Sequence, residues 1–161
     1  MDHRARNDAE LIRRSRSRAI DYASRHEVMP ALEQLQLCWQ LSDPSATEAG
    51  ADVAWVHLLA GNPNSALAML TIVTRRQRRV TRRVRELIAA CVSLDRALWM
   101  KALAVCLAGG SALDRIRAAL TVVAVRLGLR AGPDVAGPQG ESDSDRRRGA
   151  RNSRGVPYSS S

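Results

Sequence analysis

The stretch Arg75–Arg85 reads RRQRRVTRRVR, and seven of its eleven residues are arginine. Within this stretch and on both sides of it, the residues that would face one side of a helix recur at intervals of three and four. They are Val73, Gln77, Val80, Val84, Leu87, Ile88 and Cys91. Most of the arginines fall on the opposite side at about 100° per residue. The pattern predicts a packed helix with a guanidinium-covered outer surface.

A helix with this surface could bind a polyanion, because each arginine–phosphate contact releases a condensed counterion. The candidate nucleic-acid contacts are Arg75, Arg76, Arg78, Arg79, Arg82, Arg83 and Arg85. Apart from the inward Gln77, no Asn or Gln accompanies them to read bases, so we expect little sequence specificity. The wide, shallow minor groove of double-stranded RNA suits a long helix pair, so RNA is preferred and DNA stays open. A solvated charged face and an acidic protein or membrane are the alternatives.

The charge of the chain is concentrated in the same region. The net charge is +9, and residues 75–96 contribute +6 through eight basic and two acidic groups. Lys101 is the only lysine, which a GC-rich or overlapping coding sequence would also produce. Codon bias alone would not concentrate the arginines in one stretch, so their placement favours a binding surface.

Helix start and stop signals divide the remaining chain. Asn7 can cap a first helix, Pro30 suits the start of a second near 30–41, and Asp43–Pro44 opens a third that runs to Ala60. Asn62 opens a fourth helix that would continue through the arginine stretch to Val92, with a break near 74–77 left open. The arginine face is therefore predicted on one rod of about 30 residues.

Two further helices follow. Ser93 starts a fifth that ends at Gly109, and Ser111 caps a sixth that ends at Gly128. The apolar stripe of the sixth helix is Leu113, Ile116, Leu120, Val123 and Leu127. The sequence thus predicts an all-α domain at 7–130, with five or six amphipathic helices packed as antiparallel hairpins. Residues 1–6 and the Gly/Pro/Ser/Arg tail at 131–161 are predicted to be disordered.

No catalytic or metal-binding pattern occurs, so we expect neither an enzyme nor a cofactor. Cys38, Cys91 and Cys106 are widely spaced on apolar positions, which indicates buried thiols in a reducing compartment. The charge-free segment from Val53 to Thr74 is interrupted by Asn62–Pro63, so no transmembrane segment is expected. A cytoplasmic location follows, with nuclear import through the basic residues of 145–154 as an alternative.

Two resemblances add expectations. Residues 54–73, AWVHLLAGNPNSALAMLTIV, resemble one tetratricopeptide-type hairpin, with Ala54 at the small position and Gly61 at the turn. That resemblance implies an adaptor for an acidic protein or peptide. The small, helical, arginine-faced character resembles the nodavirus-type suppressors of RNA silencing. This second resemblance implies binding of double-stranded RNA along a long helical pair, as a homodimer, with contacts in Leu67–Val92.

Overall fold

The computed structural model describes residues 3–42, 47–77 and 80–132, without the side chains of residues 3–5. These residues form helices and contain no strand, which confirms the all-α prediction. The α-helices are α1 (His3–Ser24), α2 (Val28–Leu41), α3 (Glu48–Leu59), α4 (Pro63–Arg76), α5 (Arg82–Leu94), α6 (Trp99–Leu107) and α7 (Ala112–Arg126). A 3-10 turn, Arg96–Leu98, joins α5 to α6.

Consecutive helices pack as pairs, α1 with α2, α3 with α4, and α6 with α7. Helix α5 contacts α3, α4, α6 and α7, so it lies at the centre of the domain. Six consecutive residues of α5, Leu87–Val92, are buried, and so are eight consecutive residues of α3, Ala49–Val56. The core is therefore built around these two helices, which are covered on nearly every side along these stretches.

The fourth predicted helix does not continue through the arginine stretch. Helix α4 ends at Arg76, Gln77 is extended, and α5 begins after Thr81, whose hydroxyl accepts a hydrogen bond from Val84 N at 3.3 Å. The structure therefore has the break that the sequence left open near 74–77, and the arginine stretch is not one continuous rod. Arginines spaced three and four apart repel one another along a helix, and the consecutive β-branched residues Val80 and Thr81 weaken it further. The break also buries Val80, and it raises the number of α-helices in the described residues to seven.

Several predicted helix boundaries shift. Helix α1 begins at His3, so Asn7 lies inside it and residues 3–6, expected to be disordered, are helical. Asp43 and Pro44 fall outside the described residues, and α3 begins at Glu48. Both helices begin within about five residues of the starts that the cap signals predicted, because helix ends are the least certain part of such a prediction.

One boundary in the C-terminal half also differs. Ser93 lies within α5, and Asp95 instead caps the following turn by accepting from Ala97 N at 2.9 Å. The predicted disordered tail, 131–161, lies outside the described residues except for Ala131 and Gly132. Among the helices described, none combines the length and the apolar character needed to cross a membrane.

The apolar stripe of α7 faces the opposite way from its prediction. Its side chains are exposed, or half-buried in the case of Val123, while the face turned to the core carries Ala118, Val122 and Val125. The prediction failed because α7 has two apolar faces, and the one with smaller side chains allows closer packing on the core.

Candidate nucleic-acid interface

The arginines at the end of α4 do not form one row with those of α5. Arg75 and Arg76 are exposed in the last turn of α4. The guanidinium carbon of Arg76 lies 4.8 Å from the centroid of the Trp39 ring, which is a cation–π contact with α2. Arg78 and Arg79 lie outside the described residues. The predicted seven-arginine face is therefore divided by the interruption between α4 and α5.

Arg83 has a structural partner. Its Nη2 donates a hydrogen bond to Oδ1 of Asp52, a residue of α3 that is only 1% exposed. Arg16 of α1 donates from Nε to the other carboxylate oxygen at 2.6 Å, and from Nη1 to Glu48 at 2.9 Å. Burial acts to lower the pKa of Arg16, but Asp52 and Glu48 outweigh it and raise that pKa. Arg83 therefore joins α5 to α3 and α1 and is removed from the candidate contact surface.

Arg82 and Arg85 lie near the start of α5 and differ in exposure. The side chain of Arg82 is 83% exposed, and its Nε donates to Glu86 at 2.7 Å, which raises the pKa of Arg82. The side chain of Arg85 is 22% exposed. Its Nη1 lies 3.4 Å from Val80 O and 3.8 Å from a carboxylate oxygen of Asp114. Arg82 is thus free to reorient toward a ligand, whereas Arg85 is held in position.

These two arginines line an open depression between α5 and α7, which we call the arginine groove. Its volume is about 380 Å³. The lining side chains are Arg82, Arg85, Glu86, Arg117, Leu120, Thr121 and Arg130. Four arginines and one glutamate give the lining a formal charge of +3. Such a concentration of one sign in a concave surface attracts anions, since the low-dielectric walls focus the field.

The end of α7 turns back and brings Arg130 to the groove. Gly128 has a φ of +72°, a left-handed conformation that glycine adopts without steric cost. The backbone nitrogens of Leu129 and Arg130 then donate to Ala124 O at 2.9 and 3.3 Å. This glycine-terminated turn is a common way to end a helix. Arg130 is therefore placed by a backbone turn, four residues after the helix ends.

At the other end of α7, Ser111 and Asp114 form a capping box. The Ser111 hydroxyl accepts from Asp114 N at 3.2 Å, and the Asp114 carboxylate accepts from Ser111. The hydrogen bonds from Ser111 lower the pKa of Asp114, and Arg85 and Arg117 lower it further. Asp114 thus serves the helix start and also faces the groove arginine Arg85.

In the other arginine-rich helix, α1, three arginines are paired with carboxylates and do not line a depression with the others. Arg13 and Arg14 both pair with Glu10, at 3.0 and 2.8 Å, and hydrogen bonding to Arg13 and then Arg14 lowers the pKa of Glu10 to about 2. Arg16 is committed to Asp52. We therefore regard the arginine groove as the better anion site.

Sequence reasoning did not identify Arg117, Arg130 or Asp52 as important. Two signals were present: residues 97–130 carry a net charge of +4, and Asp52 is the only charged residue in the apolar segment 49–60. A lone carboxylate in such a segment indicates a buried counter-ion, since buried charges are normally paired. The pairing of α5 with α7 was not encoded in any local pattern.

Comparisons with protein-family models, with curated proteins and with solved structures found no match. Within the part of the chain that the structure describes, no three His, Cys, Asp or Glu side chains are grouped so as to hold a metal ion. The site is therefore interpreted from its own geometry.

Proposed function

We propose that this protein binds nucleic acid without sequence specificity, with double-stranded RNA preferred, and that the arginine groove is the contact surface. The observation that carries the proposal is the convergence of four arginines from α5, α7 and the turn after α7 on one open depression. These arginines are Arg82, Arg85, Arg117 and Arg130. They replace the continuous helical face that the sequence predicted.

The chemistry of the groove suits phosphates. A guanidinium donates two parallel hydrogen bonds to phosphate oxygens, which gives a stronger and more oriented contact than a lysine ammonium. The Thr121 hydroxyl donates to Arg117 O at 2.8 Å, so its oxygen is left to accept a hydrogen bond from a ribose 2′-hydroxyl. Neither Asn nor Gln lines the groove, so it lacks the amide groups that read base edges.

The preference for a duplex RNA rests on shape. A-form RNA exposes phosphates and 2′-hydroxyls across a wide, shallow minor groove, and proteins recognise it through these groups. A shallow cationic depression between two helices can approach such a surface without entering a narrow groove. Single strands are usually bound by aromatic stacking, and no aromatic residue lines this depression.

The test is a gel-shift series with duplex RNA, duplex DNA and single strands at two salt concentrations. We compare a groove variant, in which Arg82, Arg117 and Arg130 are changed to Gln, with a control variant in which Arg18, Arg25 and Arg96 are changed to Gln. The control arginines are also exposed, so both variants lose three charges. The groove variant should bind duplex RNA at least about tenfold more weakly and lose roughly two units of salt slope. The control should retain most of the affinity.

Two results would overturn the proposal. If the wild-type protein ignores all nucleic acids at low salt, the function is wrong. If the groove variant binds as the wild type does, or if the control loses as much affinity, the site is wrong and nonspecific charge explains the binding.

An acidic protein or peptide is the competing ligand. The hairpin formed by α3 and α4 does turn at Gly61, but α3 is buried along most of its length and leaves little surface for a peptide. An adaptor function would therefore use the arginine groove as well. Polyglutamate can be added to the gel shift as a competitor. If the groove is a nucleic-acid site, polyglutamate should displace duplex RNA poorly at the same concentration of negative charge.

The proposal also covers the cellular location and the biological role of duplex binding. We propose a cytoplasmic location and suppression of RNA silencing by sequestration of duplex RNA, as the resemblance to the nodavirus-type suppressors implies. The groove variant should then lose suppression in a reporter-silencing assay, and the control variant should keep it. Suppression by both variants alike would contradict this role.

A further inference from the structure

The outer face of α7 carries an apolar stripe that nothing in the described part of the chain covers. Leu113, Ile116, Leu120 and Leu127 are between 55% and 65% exposed, and Val123 completes the stripe as a half-buried residue. Contiguous exposed apolar side chains of this size are uncommon on monomeric proteins and mark an interaction surface.

The spacing of the stripe favours another helix as its occupant. Its members follow one another at intervals of three, four, three and four residues, the a and d positions of a heptad pattern. Two helices with this spacing pack knobs into holes along a seam. A scattered set of exposed side chains would not keep the alternation over four successive steps.

We propose that the occupant is a second copy of this chain, with the two α7 helices packed antiparallel about a two-fold axis. An isologous contact of this kind requires a self-complementary surface. Two antiparallel registers stack four apolar layers of the stripe. The one that pairs Leu113 with Val123 would bring the two copies of Arg117 together, so the favoured register pairs Ile116 with Leu127 and Leu120 with Val123. The two-fold axis repeats both pairs, which gives four apolar layers.

The residues beside the stripe are compatible with this pairing. Arg117 on one side and Arg126 on the other would each lie beside an alanine of the second copy, Ala124 and Ala119 respectively. No two arginines face each other across the seam, and the small alanines let the helices approach closely. Antiparallel packing also opposes the two helix dipoles, which parallel packing would align.

The arrangement has a consequence for the arginine groove, although the pairing itself does not depend on nucleic-acid binding. Arg117 and Thr121 line the groove from one flank of the stripe, and Leu120 belongs to both the stripe and the groove wall. In an antiparallel helix pair the same flank of each helix lies on the same side of the seam. Both grooves would therefore open on one face of the dimer, where one polyanion could contact them together.

The first experiment measures mass by sedimentation equilibrium over a dilution series without nucleic acid. The wild type should form a dimer of twice the 17.6 kDa chain mass. Changing Leu120 and Leu127 to Gln should give a monomer with unchanged circular dichroism. The matched control changes Leu11 and Leu94 to Gln, two exposed leucines of α1 and α5 that lie outside the stripe, and should remain dimeric.

The second experiment tests orientation by oxidation of cysteine variants. A mixture of Leu120→Cys and Val123→Cys proteins should form a disulfide between the two different chains, because these positions meet in the antiparallel register. Preferential formation of the Leu120→Cys homodimer would instead indicate parallel helices and overturn the proposed arrangement.

Other outcomes overturn the proposal of a second copy. A wild type that is monomeric throughout the series, or a dimer that survives the change of Leu120 and Leu127, would remove it. Flotation with vesicles of phosphatidylcholine and phosphatidylserine serves as a further arm. Monomeric protein that binds them through the same leucines would assign the stripe to a lipid surface, since flanking arginines also suit anionic headgroups.

Discussion

Asp52 accepts hydrogen bonds from Arg16 of α1 and Arg83 of α5 while almost wholly buried in α3. The two arginine side chains are about two-thirds to three-quarters buried, and Asp52 is the buried carboxylate that both contact, while Arg16 also contacts the exposed Glu48. Arg83 was one of the predicted nucleic-acid contacts, and its position in the sequence resembles that of its neighbours. Its role was decided by which carboxylate lay across the helix interface.

Replacing Asp52 with Asn should test this assignment. The change leaves Arg83 without the carboxylate that it contacts and Arg16 with only the exposed Glu48, so we expect the free energy of unfolding to fall by about 3 kcal/mol. Urea denaturation measures the change. The matched control is Glu48→Gln, because Glu48 contacts the same Arg16 from an exposed position and should contribute less than about 1 kcal/mol. Equal losses in the two variants would show that burial of Asp52 is not decisive.

The interruption between α4 and α5 places the arginines before it and those after it on different helices. Helix α4 keeps Arg75 and Arg76, whereas Arg82 and Arg85 turn with α5 toward α7. The turn between α6 and α7 packs against the end of α4. A Cβ built on Gly109 would overlap with Thr74 O, so a glycine is needed where the two backbones approach.

A pair of glycine substitutions separates close approach from backbone strain. Gly109→Ala should destabilise the protein by about 3 kcal/mol, because the Thr74 backbone cannot move without disturbing the end of α4. Gly61→Ala should cost only about 1 kcal/mol, since Gly61 has a φ of +72° but no atom within 4 Å of the added Cβ. Urea midpoints of both variants give the comparison. The assignment fails if Gly61→Ala is the more damaging change.

The three cysteines lie in three different helices of the core, so their reactivity shows how the core opens. Burial raises the pKa of Cys91 to about 12 and that of Cys106 to about 11, and it also raises the pKa of Cys38. These thiols belong to α2, α5 and α6 and are all buried. At neutral pH they are protonated and covered, so a thiol reagent can reach them only when the structure opens.

Labelling at neutral pH should therefore be slow at all three positions and proceed at one common rate. Mass spectrometry of digested samples measures each rate, and an added Ser17→Cys on the exposed face of α1 should label rapidly as a control. Faster labelling of Cys38 alone would show that the α1–α2 pair opens separately. The common rate would then be wrong, and the core would not open as a single unit.

The helical class, most helix positions and the buried side of α5 were readable from the sequence. These properties follow from local rules, because apolar spacing and capping residues act within a few positions of the chain. Val80, Val84, Leu87, Ile88 and Cys91 are buried as their spacing predicts. The concentration of arginine in residues 75–96 likewise belongs to the sequence alone.

Only the tertiary structure decided which arginines share a surface and which face of α7 meets the core. Asp52 accepts a hydrogen bond from Arg83, and the turn at Gly128 brings Arg130 to the groove. Residues distant along the chain make these contacts, and helical periodicity carries no information about which neighbour lies opposite. In α7, where both faces are apolar, spacing could not choose between them, and close packing of the smaller side chains did.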